Sequence, residues 1–427
     1  MEQTATAPPP TFSGYQKFLV AILALLQFTV ILDFMVLSPL GDALMKALSI
    51  PPARFSFVVS AYAFSAGAAG LLTAGFADRF DRKKLLLFFY AGFILGTLGC
   101  GLAGTYPLLL VARVVAGLFG GVIGSISLAI VADEFAVHQR GRVMGVVQMA
   151  FAASQVMGIP ISLYLANRWD WHAPFLLIVA LSLLICLAIL LRMRPVDKHL
   201  GLQSDTNAFA HLWHTVSKPD YQTGFMAMIF LAVGGFLLMP FGSAFLINNV
   251  RIAPEQLPLI YLCTGFASLL VMPLIGRLSD RFSKFALFTV GSGIAIATVL
   301  IYTNIGPSPL WLVITLNVIM FMGIMSRMVP ATALNTSVPA PKDRGAYMSV
   351  TSSLQQVSGG VAAVGAGMVI TQADSHSPLL HYNVLGYVAT AVFVLCLLLV
   401  YRVSRLVARR QPATPTAPAP PVAALAE

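Results

Sequence analysis

Apolar residues do not alternate with polar ones along this chain. They come in runs of about twenty, separated by short polar stretches. A helix crosses the hydrocarbon core of a bilayer in about 20 mostly apolar residues, and a lone segment in lipid must satisfy its backbone hydrogen bonds internally. Twelve runs are predicted to be such helices, at 16–38, 55–76, 85–104, 107–133, 143–166, 173–192, 221–248, 257–277, 285–304, 309–336, 346–371 and 382–403. The longest polar break runs from Arg192 to Asp220 and separates six runs from six. The expected organisation is an N-terminal six-helix bundle over 1–195, a linker over 196–220, a C-terminal six-helix bundle over 221–405 and a disordered Pro/Ala-rich tail over 406–427. Met1 to Pro10 has neither a basic start nor a cleavage site and reads as a floppy tail rather than a signal peptide.

Composition agrees with that reading. Of the residues 58% are hydrophobic and 10% charged, against about 25% charged in a soluble domain. A cytosolic enzyme, a disordered scaffold and a nucleic-acid module all need more polar surface. The formal charge of +10 is explained by position. Twenty of the 26 basic residues fall in one alternating set of loops and ends, four (Lys46, Arg54, Arg168 and Arg251) in the opposite set, and two (Arg113 and Arg327) inside runs. Basic residues gather on the cytoplasmic side, so both termini are expected there and nucleic acid is not needed as a partner. The four cysteines lie in apolar runs without metal-ligand spacing and read as packing residues. His211 and His214 in the linker are too weak a signal for a metal site, and no cofactor motif appears. With no phosphate-binding loop, energy is expected to come from a gradient.

The two sets of six runs repeat each other. Pro39-Leu40-Gly41 recurs as Pro240-Phe241-Gly242 after 201 residues. Asp78-Arg79-Phe80 with Arg82 recurs as Asp280-Arg281-Phe282 with Lys284 after 202, and Arg140-Gly141 with Met144 as Arg344-Gly345 with Met348 after 204. Halves duplicated in one orientation imply a pseudo-two-fold axis along the membrane normal and a site near the midplane between them. The stretch Ala74-Gly75-Phe76-Ala77-Asp78-Arg79-Phe80-Asp81-Arg82-Lys83 resembles the G-x-L-A-D-R-x-G-R-K loop signature of the major facilitator superfamily, as does Gly276 to Lys284. Arg113 with Gly117 is similar to that family's R-x-x-x-G signature. Gly158-Ile159-Pro160, followed by Trp171 to Phe175, is similar to a pattern of its antiporter and efflux branch. The resemblance covers essentially every run and implies the twelve-helix fold of that family, in which the first and fourth helices line a central cavity.

Three sets of residues are candidates for chemistry. Asp78, Arg79, Arg82, Asp133, Asp280, Arg281 and Lys284 sit where loops meet helix ends on the basic face. They read either as solvated anchors or as a latch, with Asp78 and Asp280 accepting from helix N-termini of the other half and Arg82 pairing with Asp133 or Glu134. Asp33 and Arg113 lie at matching depth, each about 9 Å from the opposite face at 1.5 Å per residue. Since either charge alone in lipid is costly, an ion pair is expected, either a static tie or the proton-coupling site. Arg327 lies in the basic-face half of its run, either snorkelling to the surface or facing the cavity as an unpaired cation. Tyr62, Gln148, Gln155, Asn317, Gln355 and Gln356 are expected to complete the substrate cavity, with Phe151 among many Phe and Met residues in an apolar wall.

The reading that follows is a secondary active transporter, not an enzyme, working by alternating access as a monomer in a bacterial inner membrane. Its partners are protons, the lipid bilayer and a small molecule, and it resembles the proton-coupled efflux proteins of amphipathic compounds. Uptake or facilitated transport of sugars or organic anions, and a transport-inactive receptor or lipid scramblase, are the alternatives.

Overall fold

The computed structural model describes residues 12–73, 80–197, 214–340 and 343–410. Both chain ends, most of the linker with His211, and the loop holding Asp78 and Arg79 lie outside the described residues. The spans are, in order, Gly14–Val36, Pro52–Thr73, Arg82–Gly101, Tyr106–Glu134, Val137–Ala153 continued by Ile159–Arg168, and Ala173–Arg192. After the linker come Pro219–Phe236, Leu257–Arg281, Lys284–Tyr302, Leu310–Asn335, Arg344–Val369 and Tyr382–Arg410. Among the described residues the one β feature is an isolated bridge between Thr371 and Leu380.

Among the described residues, eleven of the helices are long and apolar enough to cross a membrane by their own composition. The exception is the eleventh span, which is rich in Ser, Thr, Gln and Gly. Those residues turn toward protein: the eleventh span packs along the second, where Ser60 Oγ donates to the Gly360 carbonyl at 2.9 Å. A polar helix is admissible in lipid when its polar face is covered by a neighbour. The twelfth helix continues to Arg410, a turn or so beyond residue 405. Arg402, Arg405 and Arg409 are good helix formers and suit the negative end of the helix dipole, and Arg405 Nε also donates to the Tyr401 hydroxyl at 2.9 Å.

The duplication reappears in the backbone. The first span ends at Val36 and resumes as a short helix, Gly41–Ala47; the seventh ends at Phe236 and resumes as Gly242–Asn248. Pro39 and Pro240 sit in the breaks, where a missing N–H and a rigid ring disfavour continuation. Each short helix is followed by a residue in the left-handed region, Ser49 with φ 50° and Arg251 with φ 67°. These are 202 residues apart, the offset seen in the sequence, and both accept a conformation that costs a side chain about 1 kcal/mol.

Close packing holds the N-terminal half together. A Cβ at Gly117 would lie 2.4 Å from the Tyr62 carbonyl, so only glycine lets the fourth span approach the second this closely. The fifth span carries a π turn over Ser154–Gly158, just before Pro160. The proline removes one helical donor, and a widened turn re-aims the residues preceding it, among them Gln155. Gly265 of the eighth span fits against the backbone of Gln155 and Val156.

Candidate functional site

Asp33 lies one turn from the end of the first span and Arg113 two turns into the fourth. Arg113 Nη1 donates to Asp33 Oδ2 at 2.9 Å and lies 3.4 Å from the Asp33 carbonyl. From the third span Thr97 Oγ1 donates to the other carboxylate oxygen at 3.2 Å. Both charged side chains are 0% exposed. The guanidinium lies 4.5 Å over the Tyr62 ring, and its Nε and Nη2 have no hydrogen-bond partner. Tyr62 in turn packs on Phe34 at 5.3 Å.

Phe34 borders a cavity of about 350 Å³ between the two halves, whereas Asp33, Arg113 and Tyr62 do not. The rings of Phe34 and Tyr62 therefore stand between the cavity and the Arg113 guanidinium. Phe151 and Gln155 border it from the fifth span; Phe236, Tyr261, Met325, Met328 and Phe393 form much of the C-terminal wall. Asn317, Gln355 and Gln356 add uncharged polar groups. No Asp, Glu, Lys, Arg or His borders the cavity among the described residues. Gln155 Oε1 and Asn317 Oδ1 are buried and lack a partner. Such a chamber can receive an apolar body against rings and polarizable thioethers and accept hydrogen bonds from its N–H or O–H groups.

The face opposite the basic one is sealed. Ser38 Oγ donates to the Met239 carbonyl and Ser243 Oγ to the Ser38 carbonyl, each at 3.0 Å. Asn248 Nδ2 donates to Asp42 Oδ1 at 2.7 Å, and Lys46 Nζ to Asp42 Oδ2 at 2.8 Å. Asn167 Nδ2 reaches the Pro254 carbonyl at 2.9 Å. All but the Lys46–Asp42 bond join the two halves, and the two short helices after the breaks take part in two of those four.

On the basic face, Arg82 Nε meets Asp133 Oδ2 at 3.4 Å. Asp81 caps the third span, accepting from the backbone N–H of Lys83 at 2.7 Å. Ser283, 202 residues on, caps the ninth through the N–H of Ala286 at 3.4 Å. Helix capping explains a short polar side chain at both positions. At the end of the linker Lys218 Nζ donates to Asp343 Oδ2 at 2.6 Å and the Tyr221 hydroxyl donates to the same oxygen at 2.9 Å. That hydrogen bond to Asp343 holds the Lys218 ammonium above the usual lysine range.

The family model of the Major Facilitator Superfamily matches residues 23–363 and 224–426. The chain belongs to this superfamily. Among its relatives, the uncharacterized MFS-type transporter YceJ of Bacillus subtilis is 27% identical over 261 residues, 60% of this chain and 66% of that protein. A multidrug resistance protein B homolog of Mycobacterium tuberculosis is 27% identical over 375 residues, covering 72% and 68%. A probable sugar efflux transporter of Helicobacter pylori is 22% identical over 288 residues, covering 66% and 72%. The chain thus spans about two thirds of the length of these relatives. Among solved structures, a bacterial homolog of the lysosomal transporter Spinster superposes with a TM-score of 0.75 at 16% identity, over 93% of this chain and 99% of that one. A D-xylose–proton symporter gives 0.75 at 16%, over 91% and 98%. At such identities the likeness establishes the twelve-helix MFS fold and nothing finer.

Within this MFS transporter the residues expected to build the cavity divide. Gln155, Asn317, Gln355 and Gln356 border it; Tyr62, Gln148 and Arg327 do not. Tyr62 is 2% exposed, its ring held beneath Arg113. Gln148 is exposed on the fifth span, one turn and a half before the π turn that re-aims Gln155. Arg327 neither snorkels nor faces the cavity. It is 2% exposed and its guanidinium lies 3.9 Å over Phe393 and 5.3 Å over Phe288, a cage of rings inside the C-terminal half. Of the latch residues, Arg82 and Asp133 meet; Arg281 is exposed at the end of the eighth span and Lys284 opens the ninth. Asp78, Arg79 and the Asp280 side chain lie outside the described residues. The sequence reading missed Asp42, Asn248, Ser38 and Ser243; the one available signal was their place beside the repeated Pro-x-Gly breaks.

Proposed function

We propose that this transporter couples proton movement to the efflux of small amphipathic molecules by alternating access in a bacterial inner membrane, with the basic face and both termini in the cytoplasm. The observation that carries the reading is the wholly buried Asp33–Arg113 pair, set behind the Tyr62 and Phe34 rings from a cavity that has no charged lining among the described residues. A buried pair is costly to break when one charge is left alone. A proton arriving at Asp33 neutralises the carboxylate and frees Arg113 Nη1, so protonation changes which arrangement of the first and fourth spans is favoured. The uncharged, ring-lined cavity suits an amphiphile with hydrogen-bond donors, and relatives named for multidrug resistance and sugar efflux support the outward direction. Arg82–Asp133, with Asp78, Arg79, Asp280, Arg281 and Lys284, acts as the cytoplasmic latch that must loosen when that side opens.

The test is proton release from the purified full-length protein in detergent on titration with 4-phenylbutyramide, an uncharged amphiphile with amide donors, for the wild type and Asp33→Asn. Release by the wild type that disappears in the variant is the expected result. Binding without release in either protein returns Asp33–Arg113 to a static tie and moves the reading to a facilitator.

A further inference from the structure

Among the described residues no acidic group neutralises Arg327. Its Nε and Nη2 are buried without a hydrogen-bond partner, and these two nitrogens form one edge of the guanidinium, the fork that takes a carboxylate through two parallel bonds. Around it are the rings of Phe393 and Phe288 and the Cys396 thiol, which is only a weak acceptor. The described acidic side chains of this half stand at helix ends or in connecting segments: Asp220, Glu255, Asp343 and Asp374. Asp343 is already bound by Lys218 and Tyr221, and Asp33 in the other half is held by Arg113.

A lone cation at membrane depth is disfavoured, and stacking on rings offsets part of that cost. A counter-anion from outside the protein offsets the rest, and the way in is short. Phe393 both borders the cavity and packs against the guanidinium, while Met325 and Met328, on either side of Arg327 in the tenth span, border the cavity themselves. One ring separates the chamber from the free fork. We propose that Arg327 forms an anion subsite behind Phe393, which turns aside to admit the carboxylate of an amphiphile whose apolar body lies in the cavity. The inference rests on the cavity being the substrate site. It makes monoanionic aromatic or aliphatic acids preferred over their uncharged analogues, in a chamber whose visible lining carries no charge.

The experiment compares 4-phenylbutyrate, ionised at pH 7, with 4-phenylbutyramide by calorimetric titration of the full-length protein in detergent. The acid is expected to bind the wild type about tenfold more tightly, a difference of about 1.4 kcal/mol. In Arg327→Gln the ratio of the two affinities falls to about one, and in Arg327→Lys, which keeps charge but loses the fork, to an intermediate value. Phe393→Ala, which removes the screen, raises the ratio. Equal affinities in the wild type, or a ratio unchanged by the Arg327 substitutions, overturn the subsite. Should the Arg327 variants fail to fold, a ratio that does not rise in Phe393→Ala overturns it equally. Amide binding with proton release but no preference for the acid leaves the transport reading standing without the subsite. No binding of either compound removes the cavity reading, and the subsite with it.

Discussion

Each half of the molecule buries one arginine at membrane depth, and the two are treated in opposite ways. Arg113 meets Asp33 at 2.9 Å, with Thr97 on the remaining carboxylate oxygen. Arg327 meets Phe393, Phe288 and a thiol. The halves are copies at an offset of about 201 to 204 residues, yet the position equivalent to Asp33 is Gly234, and its missing Cβ is replaced by the Phe393 ring, 2.5 Å from where that atom would be. Asn317 stands 204 residues beyond Arg113 and borders the cavity instead of hiding behind it. Duplication supplied one framework, and the charges placed in it diverged. The N-terminal half holds a closed acid–base pair, suited to being opened by a proton. The C-terminal half holds a cation and presents much of the uncharged wall, suited to holding a ligand.

The largest effect that breaks this contrast is on coupling. Asp33→Asn is expected to abolish transport driven by a pH difference in proteoliposomes, a loss of about a hundredfold or more, as for removal of a required proton-transfer group. Pairing it with Arg113→Gln separates coupling from folding: the double variant recovers thermal stability, because no charge is left alone, and recovers no coupling. Coupling that survives in either variant sinks the assignment of the proton site to this half.

Stability sharpens the contrast next. Arg113→Met leaves Asp33 buried and alone and is expected to cost about 3–5 kcal/mol, the general range for removing one partner of a buried pair. Arg327→Met strands no partner and puts a flexible apolar side chain among rings, so it is expected to be neutral or stabilising by about 1 kcal/mol. Denaturant unfolding in detergent monitors both. Equal losses at the two sites contradict the idea that only one arginine is paired.

These differences were unevenly legible in the sequence. The helical spans and the repeat could be read because hydrophobic run length and Pro-x-Gly spacing are properties of the chain alone. Asp33 and Arg113 could be matched because depth along a helix follows from counting residues. Arg327 could not be oriented, since rotation about the helix axis is hidden when a helix is apolar all round. Tyr62 failed for the same reason. The seal through Asp42 and Asn248 joins residues 206 apart with no local signature, and the ring-lined wall uses Phe and Met that look like ordinary packing until the cavity is seen.

That seal yields a third, smaller effect. Asp42→Ala removes the acceptor of both Asn248 and Lys46 and is expected to weaken closure of the opposite face by about 1–2 kcal/mol, leaving the buried Asn248 amide donor unmatched. A probe is Gly235→Cys, at a cavity-bordering position where a Cβ meets nothing within 4 Å, in a chain whose four cysteines are replaced by alanine. Labelling by a membrane-impermeant maleimide from the opposite face should rise about fivefold to thirtyfold with Asp42→Ala, by that free energy at about 1.4 kcal/mol per tenfold. Unchanged labelling places closure elsewhere. Lys218→Met, at the linker end on the basic face, should leave it unchanged.

The smallest effect asks whether both halves hold the ligand. Gln155 in the π turn and Asn317 in the tenth span each offer the cavity a buried oxygen without a partner, one from each half. If a bound amphiphile donates to both, Gln155→Leu and Asn317→Leu each lose about 1 kcal/mol of affinity for 4-phenylbutyramide, about fivefold, the usual net worth of a neutral hydrogen bond. A compound bridging both oxygens ties the halves together, so each single loss includes their coupling and the double loss falls short of the sum of the single ones. If only Asn317→Leu weakens binding, the ligand is a tenant of the C-terminal half alone, and Asp33 must sense it through Phe34 and Tyr62 rather than through a ligand that spans the chamber.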